Sequence, residues 1–123
     1  MILVEGSTIR EIGPGVRVPR GATVIDLTSQ FVMPGLIDSH THLVFAGDRA
    51  AEFEMRTHGK SYLEIMQAGG GIVSTVRQTR QASKEHLIAQ SRLRVRGIFE
   101  HGTTTAEVKP CYGLETATEI KML

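Results

Sequence analysis

The sequence predicts an α/β fold: parallel strand–helix units preceded by a small β layer. Three observations predict it. Residues 1–30 contain short β-prone runs separated by glycine and proline turns. After residue 30 an apolar run gives way to helical periodicity, then to a β-branched string, then to another helix, the alternation expected of parallel βα units. Two such units cannot close a sheet, since a barrel of eight takes roughly 250 residues. With 123 residues, and a last predicted helix still running at Leu123, the sequence reads as an incomplete part of a larger fold.

Met1 to Glu5 is an apolar first strand, and Thr8 to Ile12 follows across a Gly6-Ser7 turn. Gly13-Pro14-Gly15 breaks the pattern, and Ala22 to Leu27, centred on Val24 and Ile25, is a third strand candidate. Phe31 to Asp38 is a continuous apolar run ending in polar residues, which suits a strand buried on both faces. Pro34 then belongs near its beginning, where a missing N–H is tolerated. Ser61-Tyr62-Leu63-Glu64 has the form of a capping box opening a helix that ends at Gly69-Gly70-Gly71. Ile72 to Gln81 restarts a helix. Ser83 caps the next, with Glu85 in its first turn and an apolar stripe of Leu87, Ile88, Val95, Ile98 and Phe99. Gly97 inside it costs about 1 kcal/mol relative to alanine, and Gly102 suits the position just past its end. Thr103 to Val108 is β-branched and reads as a strand, and a helix begins at Thr116.

Composition excludes several classes. Hydrophobic residues make up 41% and charged residues 22%, as in ordinary globular proteins. No run approaches the ~18 apolar residues of a membrane-spanning helix. The apolar start lacks a basic leader and reads as a strand, not a signal peptide, so a cytoplasmic location is expected. A formal net charge of +1 gives no argument for nucleic acid, and Arg92, Arg94 and Arg96 read as a solvated helix flank. The single cysteine, Cys111, cannot form an internal disulfide.

The chemistry centres on Asp38-Ser39-His40-Thr41-His42. Side chains two apart on a strand share a face, so His40 and His42 project together. Neutral imidazole suits zinc, iron and nickel, and the pair sits at the C-terminal end of its strand, where βα barrels carry their active sites. A catalytic metal takes about three protein ligands plus an open position. This segment offers two, and a pair of polar histidines without a metal is the plainer alternative. His58, His86 and His101 read as non-ligands. Arg56 is expected to pair with Glu52 at i,i+4 in preference to acting as a second anion contact, Tyr62 to pack in the core in preference to lining the pocket, and Gly69-Gly70-Gly71 either to offer backbone N–H groups to an anion or simply to break a helix.

Pro34-Gly35-Leu36-Ile37-Asp38-Ser39-His40-Thr41-His42-Leu43 resembles the first barrel strand of the metal-dependent amidohydrolase superfamily. Three further strings resemble the imidazolonepropionase family within it: Val44 to Arg56, Tyr62 to Ile72, and Gly102 to Lys109 followed by Tyr112-Gly113-Leu114. The resemblance implies the first two βα units of a TIM barrel over residues 31–123, preceded by a β-strand segment of a composite sandwich domain over residues 1–30. It implies zinc or iron held by His40 and His42, with a third histidine and an aspartate supplied from later strands. It implies hydrolysis of 4-imidazolone-5-propanoate to N-formimidoyl-glutamate in histidine breakdown, by a complete enzyme that could form a homodimer, these 123 residues being inactive alone. Arg49 and Tyr112 match positions that contact substrate in the family. Arginine suits the substrate's propionate, because its planar fork gives two charge-assisted bonds to a carboxylate.

The sequence departs from the family at Pro110-Cys111, where Ser-Gly is usual. Glycine reaches φ > 0 freely and cysteine does not, while Pro110 pushes Lys109 toward extended geometry. Both bear on where Tyr112 lies. Two other readings compete: a different cyclic-amide amidohydrolase or deaminase, against which Gly47-Asp48-Arg49 and Glu107-Val108-Lys109 speak, and a truncated, non-catalytic remnant of which Pro110 and Cys111 would be early signs.

Overall fold

A computed structural model describes residues 1–123 as four strands and five α-helices. Contacts within the chain divide it into two units, Met1–Met33 and Pro34–Leu123.

In the first unit β1 (Ile2–Glu5) and β2 (Thr8–Ile12) form an antiparallel hairpin. Gly6, at φ 59°, supplies the left-handed residue its turn requires. The Met1 amino group donates to the Gly13 carbonyl at 2.9 Å and closes the open end. The third strand expected over Ala22–Leu27 does not form. Val24 and Ile25 are exposed, and the segment ends in a turn where Asp26 accepts hydrogen bonds from the N–H and hydroxyl of Thr28. β-branched residues favour strands only where a partner edge pairs with them, and no edge of the hairpin does so here. The β layer is therefore a two-stranded hairpin.

In the second unit β3 (Leu36–Thr41) and β4 (Thr103–Val108) pair in parallel. Parallel strands need a long crossover, and four helices fill it: α1 (Ala50–Thr57), α2 (Tyr62–Gln67), α3 (Ile72–Gln81) and α4 (Lys84–Glu100). After β4 comes α5 (Thr116–Met122). The Leu36 N–H donates to Gly102 O and the Lys109 N–H to Thr41 O, both at 2.8 Å, so pairing extends past both ends of the ladder. β3 starts at Leu36 rather than at Phe31, because Pro34 cannot donate to the ladder. A Cβ on Gly35 would lie 2.1 Å from Thr104 Oγ1, so glycine lets the strands approach where pairing begins. Burial of β3 on both faces is not realised: Ile37 remains 74% exposed in a two-stranded sheet.

The helix signals behave as chemistry dictates. Ser61 and Glu64 form the reciprocal capping box, and Ser83 Oγ accepts the His86 N–H at 3.2 Å to start α4. Gly102 takes φ 93° just past α4. At the C-terminus of α3, where carbonyls lack partners, Lys121 Nζ reaches from α5 to the carbonyls of Thr79, Arg80 and Ala82 at 3.2, 3.1 and 2.9 Å. A core forms where Ala46, Leu87 and Met122 meet, with Val44, Ala82 and Tyr112 packed against it. Of the predicted α4 stripe, Leu87 is buried; Ile88, Val95 and Phe99 instead line an open apolar groove of about 600 Å³. No helix is long and apolar enough to cross a membrane.

Candidate metal and anion site

His40 is the penultimate residue of β3 and His42 follows its last residue. Two positions apart at the end of the strand, their rings meet edge to face with centroids 5.2 Å apart. The Asp38 carboxylate accepts the His40 N–H at 3.1 Å and steadies the strand just ahead of the pair. His42 Nδ1 lies 2.9 Å from the Lys109 carbonyl oxygen. A carbonyl only accepts, so Nδ1 carries the proton and Nε2 keeps its lone pair free. Metal-binding histidines are held by this kind of outer contact, which fixes tautomer and ring orientation.

The donor set fits part of a mononuclear site. Two imidazoles share a face, but no group of three or more His, Cys, Asp or Glu side chains in the chain could enclose an ion. Cys111 does not fill the gap. Its Sγ lies 3.3 Å from His42 Nδ1 and 3.7 Å from Nε2. The sulfur thus lies near both ring nitrogens of His42, and no third side chain joins them in a set that could enclose an ion. Burial, with the Glu119 carboxylate adding to it, pushes the Cys111 thiol above its ordinary range.

Tyr112 lies beside His42 despite the Pro110-Cys111 departure. Its ring is 5.3 Å from that of His42 and 5.5 Å from that of Phe45. Cys111 has no need of the left-handed region; Leu114, at φ 50°, takes it instead. Glu119 Oε1 accepts the N–H groups of Gly113 and Leu114, both at 2.8 Å, and so fixes the turn that follows Tyr112.

Arg49 is the N-cap residue of α1 and not simply a loop residue. Its Nε and Nη2 donate to Glu52 Oε2 at 2.8 and 2.5 Å. The Glu52 hydrogen bond raises the Arg49 pKa, and the nearby phenols of Tyr112 and Tyr62 add to it. The Arg49 guanidinium in turn holds the Glu52 carboxyl below its ordinary value, against the opposing effect of burial. The expected Glu52–Arg56 pair is absent, since Glu52 turns inward to Arg49. Glu52 Oε1 also accepts the Gly71 N–H at 2.8 Å. The triple glycine does present a backbone N–H to an anion, and that anion is the chain's own carboxylate. Gly70 permits the approach, for a Cβ there would sit 3.1 Å from Glu52 Cδ. Tyr62, expected in the core, is 67% exposed.

Arg94 corrects the reading of its cluster as a solvated flank. Its Nη1 donates to the carbonyls of Leu43 and Phe45 at 3.0 and 2.9 Å, and its guanidinium lies 3.6 Å above the Phe45 ring. Ser91 Oγ adds a bond to Leu43 O at 3.3 Å. Together they anchor the segment that leaves His42. The sequence carried a signal for this: Arg94 falls seven residues after Leu87 and three after Ser91, on one face of α4. Arg96 stays exposed and pairs with Glu100.

A parallel βα arrangement ending in a histidine pair suits an amidohydrolase, and comparison with known proteins narrows the class. The chain is 51% identical to the imidazolonepropionase of Myxococcus xanthus over 125 residues, 98% of this chain and 30% of that protein. It is 50% identical to the Pseudomonas aeruginosa PAO1 imidazolonepropionase over 99% of this chain and 31% of the relative. It is 58% identical to that of Colwellia psychrerythraea over 81% of this chain and 24% of the relative. The chain thus spans about three tenths of the length of the curated relatives it matches. No family model matches it. Over nearly its whole length the chain is a homologue of the imidazolonepropionases, corresponding to a segment of their sequence.

Proposed function

We propose that this chain is the part of an imidazolonepropionase that contributes half the metal ligands and the arm that grips the substrate's carboxylate. The complete protein would then hydrolyse 4-imidazolone-5-propanoate to N-formimidoyl-glutamate. The observation that carries this reading is the close identity to imidazolonepropionases over 98% of the chain. In this reading residues 31–123 begin a (β/α)8 barrel and residues 1–30 join a composite sandwich domain. The complete enzyme acts in the cytoplasm and can assemble as a homodimer.

His40 and His42 would hold one divalent zinc or iron ion, His42 through Nε2. The further histidine and aspartate would come from parts of the enzyme outside this chain. When bound, such an ion activates water for attack on the ring amide and polarises its carbonyl. The chain's own residues bind and orient. Arg49 offers donors to the propionate, and Tyr112, its ring tilted against that of His42, offers a phenol beside the histidine pair. Lys109 O keeps the His42 proton on Nδ1. Arg94 and Ser91 keep the segment after His42 in place. A carboxylate outside the chain would carry the proton from water to the leaving nitrogen.

A substrate panel on the complete protein tests this. Turnover of 4-imidazolone-5-propanoate in preference to dihydroorotate-like rings and aminated bases is the expected result. Turnover of another cyclic amide, with none of imidazolonepropanoate, would overturn the assignment.

A further inference from the structure

Arginine carries five N–H donors on two usable edges: a side-on edge of Nε and Nη2, and an end-on edge of Nη1 and Nη2. Glu52 occupies the side-on edge of Arg49 through a single oxygen, Oε2. Its other oxygen is held by the Gly71 N–H at the start of α3. The Glu52 side chain is 11% exposed while that of Arg49 is 47% exposed. The carboxylate is therefore fixed inside and the guanidinium reaches out from it. The bonds to Glu52 use Nε and Nη2, and Nη1 makes no hydrogen bond within the chain, so the end-on fork keeps donors unpaired. The three residues belong to different parts of the crossover: Arg49 caps α1, Glu52 lies in its first turn, and Gly71 caps α3.

We propose that Glu52 is the positioning residue of the anion arm: it clamps Arg49 by the side-on edge, anchored on Gly71, and leaves the end-on fork to the substrate's carboxylate. This rests on the reading of Arg49 as the carboxylate contact. A free arginine side chain would lose several rotamers on binding. An arginine already clamped loses fewer, so the ordering is built into the fold before substrate arrives. Glu52 also keeps the local charge near neutral in the absence of substrate.

The test uses the complete enzyme with two substrates: imidazolonepropanoate, and an imidazolone whose side chain ends in a neutral group of similar size. Glu52→Gln keeps shape and removes the charge. It should raise KM for imidazolonepropanoate about tenfold, the scale of one charge-assisted hydrogen bond. It should leave kcat, metal content and kcat/KM for the neutral analogue unchanged. Arg49→Gln should raise KM further, and the double variant should be no worse than Arg49→Gln alone. If Arg49→Gln raises KM and Glu52→Gln does not, the clamp is wrong while the reading of Arg49 survives. If neither raises it, both are wrong. If Glu52→Gln lowers kcat/KM for both substrates alike, Glu52 is a structural residue and the proposal fails. Should Glu52→Gln not fold, Glu52→Asp, which keeps the charge on a shorter arm, is judged by the same ratio between the two substrates.

Discussion

At the scale of single residues the site depends on polar groups that hold one another in register. Arg94 is the clearest case. It spends its charge on two backbone carbonyls, and burial pulls its pKa down from the ordinary arginine value while it remains protonated. Arg94→Met should therefore destabilise the complete protein by about 2 kcal/mol, because the Leu43 and Phe45 carbonyls lose a charged donor. Urea unfolding reads this directly, and a change below about 0.5 kcal/mol, the scale of ordinary surface substitutions, would mean the contacts are not formed. The His40–His42 pair was legible from spacing alone, since a strand puts alternate residues on one face. Arg94 was obscured because three arginines in five residues look like one patch, although residues two apart on a helix face different ways. Glu52 was assigned the wrong partner: i,i+4 spacing favoured Arg56, but only Arg49 lies on the inner side with the Gly71 N–H.

At the scale of elements, local signals set the helix starts. The capping box at Ser61 carries a titratable member. Lys60, then the Ser61 backbone and hydroxyl, hold the Glu64 carboxyl down at about 2 from an ordinary 4.5. Its folded pKa is depressed, so its support for α2 is present above pH 4.5 and fades as pH falls toward about 2. A carboxyl NMR titration should place the Glu64 midpoint near 2, and a midpoint near 4.5 would show that the box does not form. Gly47 belongs to the loop between His42 and Arg49. It sits at φ 81°, and a Cβ there would fall 2.1 Å from Gln78 Oε1. Gln78 can swing aside, but the dihedral cannot, so Gly47→Ala should cost of order 1–3 kcal/mol, read as a lowered Tm. An unchanged Tm would place the loop elsewhere. One element escaped the sequence reading and one expected strand did not form, each for a physical reason. α1 is short and mixes charged and apolar residues around its circumference, leaving no clear stripe. Ala22–Leu27 had strand propensity but no edge to pair with.

At the scale of the whole molecule, two parallel strands and five helices leave the inner face of α4 beside α5 uncovered. The strand–helix alternation was legible; burial of the apolar runs was not, because burial needs neighbours that periodicity cannot supply. The 123 residues by themselves should show no turnover of imidazolonepropanoate, since the histidine pair has no third ligand within the chain. Full-enzyme turnover by the purified chain would contradict that.

The central claim is that His40 and His42 jointly hold a catalytic ion. The most direct measurement is metal content beside turnover of 4-imidazolone-5-propanoate, made on the complete protein and on its His40→Ala/His42→Ala variant. The account predicts about one zinc or iron ion per active chain, with the ion and the turnover lost together in the double variant. Turnover that survives removal of both histidines would contradict it.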